Sequence, residues 1–333
     1  MKKAAAALFG TVLALAMLEL FCRAGIIPNR HAGIAKLDRG KARSLRVLIL
    51  GDSFIEDKSE LSGRLTDYFR GKGAVVLNLA SGGMRPIDYL RMMERYGQDY
   101  APDLVLLSDT ANNDVSDTLL RTSPEELERV LAHRPPRVRS YLAQAAADAW
   151  QAPAHYLRIK FLKRSVRRKR LPGAAQALNP YLILAARRHP DILSMNLSLD
   201  TPAARAACAD NERIFARIQE LTAKRRGKLL LTIFPSTLQV NPSHHPFFRG
   251  IGMRVDDSLL RSGVLQSRLM DFCRKQGLLC NDLLPEFRRR GASEFYLEND
   301  DHFNSAGQQL AFELITRRLE ALRLAAREGS KIR

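Results

Sequence analysis

The sequence predicts a doubly wound α/β fold: three layers, α/β/α, around a mainly parallel sheet of about five strands. Three observations predict it. Short apolar runs of strand length recur at residues 47–50, 74–79, 104–107, 229–234 and 278–280. Runs that are apolar throughout fit strands covered on both faces. Segments of helical spacing separate them, and strands alternating with helices build a parallel sheet. Composition agrees: of 333 residues, 46% are hydrophobic and 26% charged, which excludes a disordered chain, a collagen-like repeat and a multi-span membrane protein. Lys and Arg number 53 against 35 Asp and Glu, a formal charge of +18, and four cysteines are too few for a disulfide-built scaffold.

In chain order, residues 4–22 are an apolar run whose one charge is Glu19, behind Lys2 and Lys3. A helix needs ~20 apolar residues to cross a bilayer. Residues 1–24 are therefore expected as a signal anchor or transmembrane helix, with cleavage near Ala14-Leu15-Ala16 as the alternative. Lys2 and Lys3 favour an inside N-terminus, whereas Arg23, Arg30, Lys36, Arg39, Lys41, Arg43 and Arg46 oppose that orientation. Residues 25–45 read as a basic linker. The first strand follows and ends at Gly51. Residues 59–72 carry Leu61, Leu65, Tyr68 and Phe69 at helical spacing, and residues 86–97 read as a second helix. A helix over 204–226 precedes the fourth strand, which Pro235 stops. The closing helix spans 305–327, so the main domain is expected over 46–325 and a polar tail over 326–333.

The regular alternation breaks at about residues 118–203, read as a helical basic insertion. Between Arg158 and Arg170, eight of 13 residues are Lys or Arg, and no acid occurs between Asp148 and Asp191. Ile159, Leu162 and Val166 share a helical face there. A basic amphipathic helix suits an anionic lipid surface or an acidic polymer, and a solvated charged face is the plain alternative. Nucleic acid is not expected, because no recognition motif accompanies the charge. Cys273 and Cys280 could pair across a helix-to-strand turn, leaving Cys208 over; two buried free thiols are the alternative.

In an open α/β sheet, sites form where strands end. After the first strand comes Gly51-Asp52-Ser53-Phe54, a serine in a strand-to-helix turn, and after the second comes Asn78-Leu79-Ala80-Ser81-Gly82-Gly83. Glycines let a backbone N–H approach an oxyanion. After the third comes Asp109-Thr110-Ala111-Asn112-Asn113-Asp114, and an Asn amide is a neutral donor to an oxyanion. Near the C-terminus stands Asp300-Asp301-His302-Phe303-Asn304, where a carboxylate close before a histidine can orient its ring. Each piece alone is an ordinary turn or cap. His244-His245 lie in a Pro-bounded loop and read as loop residues, at most substrate-side.

In order and placement, these blocks resemble the SGNH (GDSL) hydrolase superfamily. The resemblance covers about residues 46–325 and implies a flavodoxin-like doubly wound fold. It makes Ser53 the nucleophile, His302 the base and Asp300 the acid, with Asp301 a rival for that role. It makes the N–H of Ser53, the N–H of Gly83 and the side chain of Asn113 the oxyanion hole, with Gly82 a lesser rival to Gly83. Many members place the acid three residues before the histidine, where this chain has Asn299; the Asp-x-His spacing followed by an aromatic resembles a bacterial membrane-anchored subgroup. That subgroup implies a single-pass inner-membrane protein with its catalytic domain in the periplasm, or a secreted form after signal cleavage.

The expected activity is hydrolysis of an ester through an acyl-serine intermediate, on a small molecule, lipid or O-acylated envelope glycan. An acyltransferase using the same residues, or a non-catalytic envelope binding protein, is the alternative. The resemblance implies no cofactor and no metal, and no Cys/His cluster has ligand spacing. The sequence is silent on oligomeric state.

Overall fold

The computed structural model describes residues 2–23, 44–132, 142, 179–291 and 294–331. The chain divides into two compact units, Met1–Ser44 with Arg134–Gln176, and Leu45–His133 with Ala177–Arg333. In the first, helix α1 runs Lys2–Arg23. Nearly all of the expected linker, residues 25–45, and the whole basic run 158–170 lie outside the described residues.

The expectation of a transmembrane helix over residues 1–24 falls on helix α1 and is not met: among the described residues, no helix is long and apolar enough to cross a membrane.

The second unit holds the sheet. Strands β1 (Arg46–Leu50), β2 (Val75–Asn78), β3 (Leu104–Thr110), β4 (Lys228–Phe234) and β5 (Leu279–Asp282) lie in the order β2-β1-β3-β4-β5. Every pairing is parallel. The chain steps outward from β1 to β2, then returns past β1 to β3. The C-terminal ends of β1 and β3 therefore flank the switch point, where an open sheet leaves a crevice. All five strands stand where the apolar runs predict them. β3 extends three residues beyond its run because Ser108, Asp109 and Thr110 pair with Thr232, Ile233 and Phe234 of β4.

The helices are α2 (Glu60–Gly71), α3 (Pro86–Met92), α4 (Asp114–Arg121), α5 (Pro124–Ala132), α6 (Pro180–Arg188), α7 (Ile192–Ser198), α8 (Pro202–Ala223), α9 (His245–Gly250), α10 (Val264–Gln276), α11 (Leu284–Arg290) and α12 (Ser305–Lys331). A π turn, Met93–Gly97, continues α3, so the helix expected over 86–97 changes pitch midway. On one face of the sheet, Val47, Ile49, Leu106 and Leu230 share a core with Leu61, Leu65 and Phe69 of α2, Phe287 of α11, and Leu310, Leu314 and Ile315 of α12. α8 packs against α3, α4 and β4 elsewhere on the sheet. Caps set the helix starts: Ser59 accepts from the N–H of Ser62, and Thr201 from that of Ala204. Cys273 and Cys280 form a disulfide with Cα atoms 6.2 Å apart, tying α10 to β5. Cys208 is a buried free thiol, and burial pushes it up to about 12.

Candidate active site

Ser53 follows β1 through a turn that only glycine permits. A Cβ on Gly51 would lie 1.9 Å from Ser108 Oγ and 2.6 Å from Ile55 Cγ2. With no Cβ there, β1 runs close beside β3 and the next residues turn outward. Asp52 points inward and is fully buried, while Ser53 is half-buried and faces the crevice. Asp52 accepts from the Phe54 N–H at 3.1 Å and from Thr110 Oγ1 at 3.2 Å.

His302 comes from a tight excursion between α11 and α12. Tyr296 and Phe303 form an antiparallel bridge, and the Leu297 N–H donates to the His302 carbonyl at 2.9 Å. Tyr296 Oη donates to the Pro235 carbonyl at 2.9 Å, anchoring the excursion to the end of β4. Phe303 packs edge-on to Phe54, with centroids 5.0 Å apart, and stacks on Phe287 at 4.9 Å. The His302 ring stacks on Phe54 at 5.0 Å. Thus the residue after the serine also holds the face of the histidine.

These elements bring three expected residues into line. Ser53 Oγ lies 2.8 Å from His302 Nε2. His302 Nδ1 lies 2.7 Å from Asp300 Oδ1. The same Asp300 oxygen accepts the N–H of Asp301 at 2.7 Å and of His302 at 3.1 Å. Asp301 Oδ1 is 3.0 Å from His302 Nδ1 yet has no hydrogen-bond partner. Of the two carboxylates, Asp300 therefore has the bonding geometry toward the ring.

The electrostatics follow. Burial pushes Asp300 up, but hydrogen bonds from His302 and Asp301 outweigh it and hold the carboxyl well below its usual range. Burial dominates at Asp301 and raises it. Burial alone would lower His302, but the charge of Asp301 and the bond to Asp300 raise it well above an ordinary histidine. Among the described residues, Asp300, Asp301 and His302 are also the group that could offer three ligand atoms to a metal, within 4.8 Å of one another. Both ring nitrogens are already engaged, one by Asp300 and one by Ser53.

The expected donors stand on two further loops. Gly83 sits after β2 at φ 75°, a conformation glycine adopts without strain. Neither its N–H nor that of Ser53 has an acceptor among the described residues. The N–H of Gly82 is taken by Glu56 Oε2 at 2.9 Å, which leaves Gly83 the open donor of the pair. Asn113 Nδ2 donates to Asp52 Oδ2 at 3.2 Å, and its Oδ1 is buried without a partner. That bond orients the amide, since a flipped Asn113 would set two oxygens against each other.

Behind Asn113 lies a buried acid cluster. Burial pushes Asp109 up to about 7, with a hydrogen bond from Asp114 opposing. Burial also raises Asp114 well above its usual value, helped by Asp109 and Asp52. Asp114 accepts from Tyr89 Oη at 3.0 Å and from the Thr110 N–H at 2.8 Å.

Two residues outside the expected set join these loops. Asn112 Nδ2 donates to the Asp301 carbonyl at 3.0 Å, linking the Asn113 loop to the histidine loop. Asn196 of α7 is fully buried. Its Nδ2 donates to the Asn112 carbonyl at 2.5 Å, and its Oδ1 accepts the Ser116 N–H at 2.7 Å. A signal for Asn196 exists in the sequence: it shares a helical face with Leu193 and Leu197, an amide where an apolar residue belongs. His244 and His245 do not join the site. His244 Nδ1 pairs with Thr237 Oγ1 at 2.8 Å, and His245 with Asp257 at 2.9 Å, so both brace their own loop.

No protein-family model matches the chain, and no curated protein matches it. Solved structures do. A GDSL-like lipase from Bacteroides thetaiotaomicron aligns over 88% of this chain and 96% of its own at 12% identity and a TM-score of 0.43. A lipase/acylhydrolase from Enterococcus faecalis aligns over 83% and 96% at 13% identity and a TM-score of 0.44. An acetyl xylan esterase aligns over 82% and 98% at 11% identity and a TM-score of 0.41. What the site of this chain can do follows from its own geometry.

Proposed function

We propose that the chain is a serine esterase of the SGNH type that cleaves an O-acyl ester through an acyl-serine intermediate. One observation carries the reading: the unbroken line from Ser53 Oγ to His302 Nε2 at 2.8 Å and from His302 Nδ1 to Asp300 at 2.7 Å. A nucleophile within reach of a base, itself oriented by a third group, is the arrangement acyl transfer needs. Neutral His302 takes the Ser53 proton as Oγ attacks the ester carbonyl. The oxyanion is held by the N–H groups of Ser53 and Gly83 and by Asn113 Nδ2. Imidazolium, stabilised by Asp300, then protonates the departing alcohol. Water, deprotonated by His302, attacks the acyl-serine and frees the acid.

The substrate we propose is an O-acyl group of an envelope glycan or lipid, met outside the cytoplasm. The Cys273–Cys280 disulfide supports export, because such bonds persist in oxidising compartments. Ser53→Ala is expected to abolish turnover of a short-chain p-nitrophenyl ester with the circular-dichroism spectrum unchanged. Retained turnover in that variant removes Ser53 from the role.

A further inference from the structure

The Gly82–Gly83 peptide carries the open N–H of the glycine loop, and it has a glycine on each side. No Cβ opposes its rotation. A Cβ built on Gly83 meets nothing within 4 Å, so no neighbour packs around that residue to fix it. The two flanking peptides are tied to each other, the Met84 N–H donating to the Ser81 carbonyl at 3.2 Å, and each is also pinned by a charged side chain. The N–H of the Ser81–Gly82 peptide donates to Glu56 Oε2 at 2.9 Å. The carbonyl of the Gly83–Met84 peptide accepts from Arg121 Nη2 at 3.1 Å.

Glu56 lies three residues beyond the serine, and Arg121 ends α4. They approach the loop from separate segments. Arg121 is itself held: its Nη1 pairs with Asp117 Oδ1 at 2.9 Å, and its carbonyl accepts from Arg85 Nη1. Asp117 Oδ2 accepts from Asn113 Nδ2 at 3.5 Å, so one acid touches the Asn113 amide and holds Arg121.

We propose that Glu56 and Arg121 are positioning residues, a charged clamp that holds the Gly83 N–H aimed at the oxyanion. The inference rests on the esterase reading. The clamp acts through geometry rather than field. Glu56 bears negative charge beside a developing anion, so a purely electrostatic role would make its removal accelerate the reaction. The Arg121 side chain is 41% exposed, and truncating it opens no buried cavity.

The test uses the full chain and p-nitrophenyl acetate, with kcat and KM measured separately. Glu56→Ala and Arg121→Met are each expected to lower kcat by about tenfold to 10²-fold, the range that misplacing a catalytic group by about 1 Å can reach. KM is expected to stay within about twofold, and Glu56→Gln, which keeps an acceptor oxygen, to recover most of the lost kcat. If either truncation disturbs the circular-dichroism spectrum, Glu56→Asp and Arg121→Lys, which shorten the reach, carry the same expectation. Variant kcat values at the wild-type level, a rise in kcat for Glu56→Ala, or a change confined to KM overturn the clamp and leave the esterase reading standing. A wild type that neither turns over nor labels at Ser53 with a fluorophosphonate overturns both.

Discussion

The two loops that complete the site are held by opposite means. The histidine excursion is fastened to the core: Tyr296 and Phe303 are buried, Phe303 packs on Phe54 and Phe287, and Tyr296 Oη reaches the end of β4. The glycine loop stands at the surface, with Ser81 and Gly83 exposed; beyond main-chain bonds from Ser81 to Gly51 and from Met84 to Ser81, its contacts are ionic side chains. Burial is hard to disturb without unfolding something, whereas exposed charges yield to salt and to single substitutions. In the proposed mechanism, the proton relay thus rests on the buried part of the fold, and the Gly83 donor on the exposed part.

Substitutions can break that contrast, starting with the relay. His302→Ala is expected to cost about 10⁶-fold in kcat, the scale of losing a member of such a unit. Asp300→Asn is expected to cost about 10⁴-fold, and Asp301→Asn far less, because only Asp300 has bonding geometry toward the ring. A larger loss at Asp301 in steady-state kinetics reverses the assignment. Asn113→Ala, which removes one oxyanion donor, is expected to lower kcat by about 10²–10³-fold with little change in KM. On the buried side, Phe303→Ala should destabilise the protein by about 3–5 kcal/mol in urea unfolding. Arg121→Met should leave the unfolding midpoint nearly unmoved, which is where the two loops part.

The smallest effect is on pH dependence. His302 must be neutral to accept the Ser53 proton, and its environment raises its pKa. Activity should therefore fall as pH drops through a value above the ordinary ~6.5 of histidine. A kcat/KM profile whose acid limb lies below that value contradicts the assigned electrostatics.

The sheet was legible because buried parallel strands are apolar throughout, and 47–50, 104–107 and 229–234 are such runs. The extension of β3 was not, since Ser108, Asp109 and Thr110 are polar yet buried through pairing with β4. The serine, histidine and donor loops could be named only as a set, because each alone is an ordinary turn or cap and their order along the chain carries the resemblance. Glu56, Asn112 and Arg121 could not be named. Their roles arise from contacts to segments distant in sequence, as with Asn112 and Asp301 at 189 residues' separation, and no local pattern encodes such a contact.

The central claim is that Ser53 is activated by His302. Labelling the full chain with a fluorophosphonate and locating the adduct by peptide mass spectrometry tests it most directly. The account predicts one adduct, on Ser53, forming faster as pH rises through the ionisation of His302, and none in His302→Ala. An adduct on another residue, or labelling of Ser53 at full rate without His302, contradicts it.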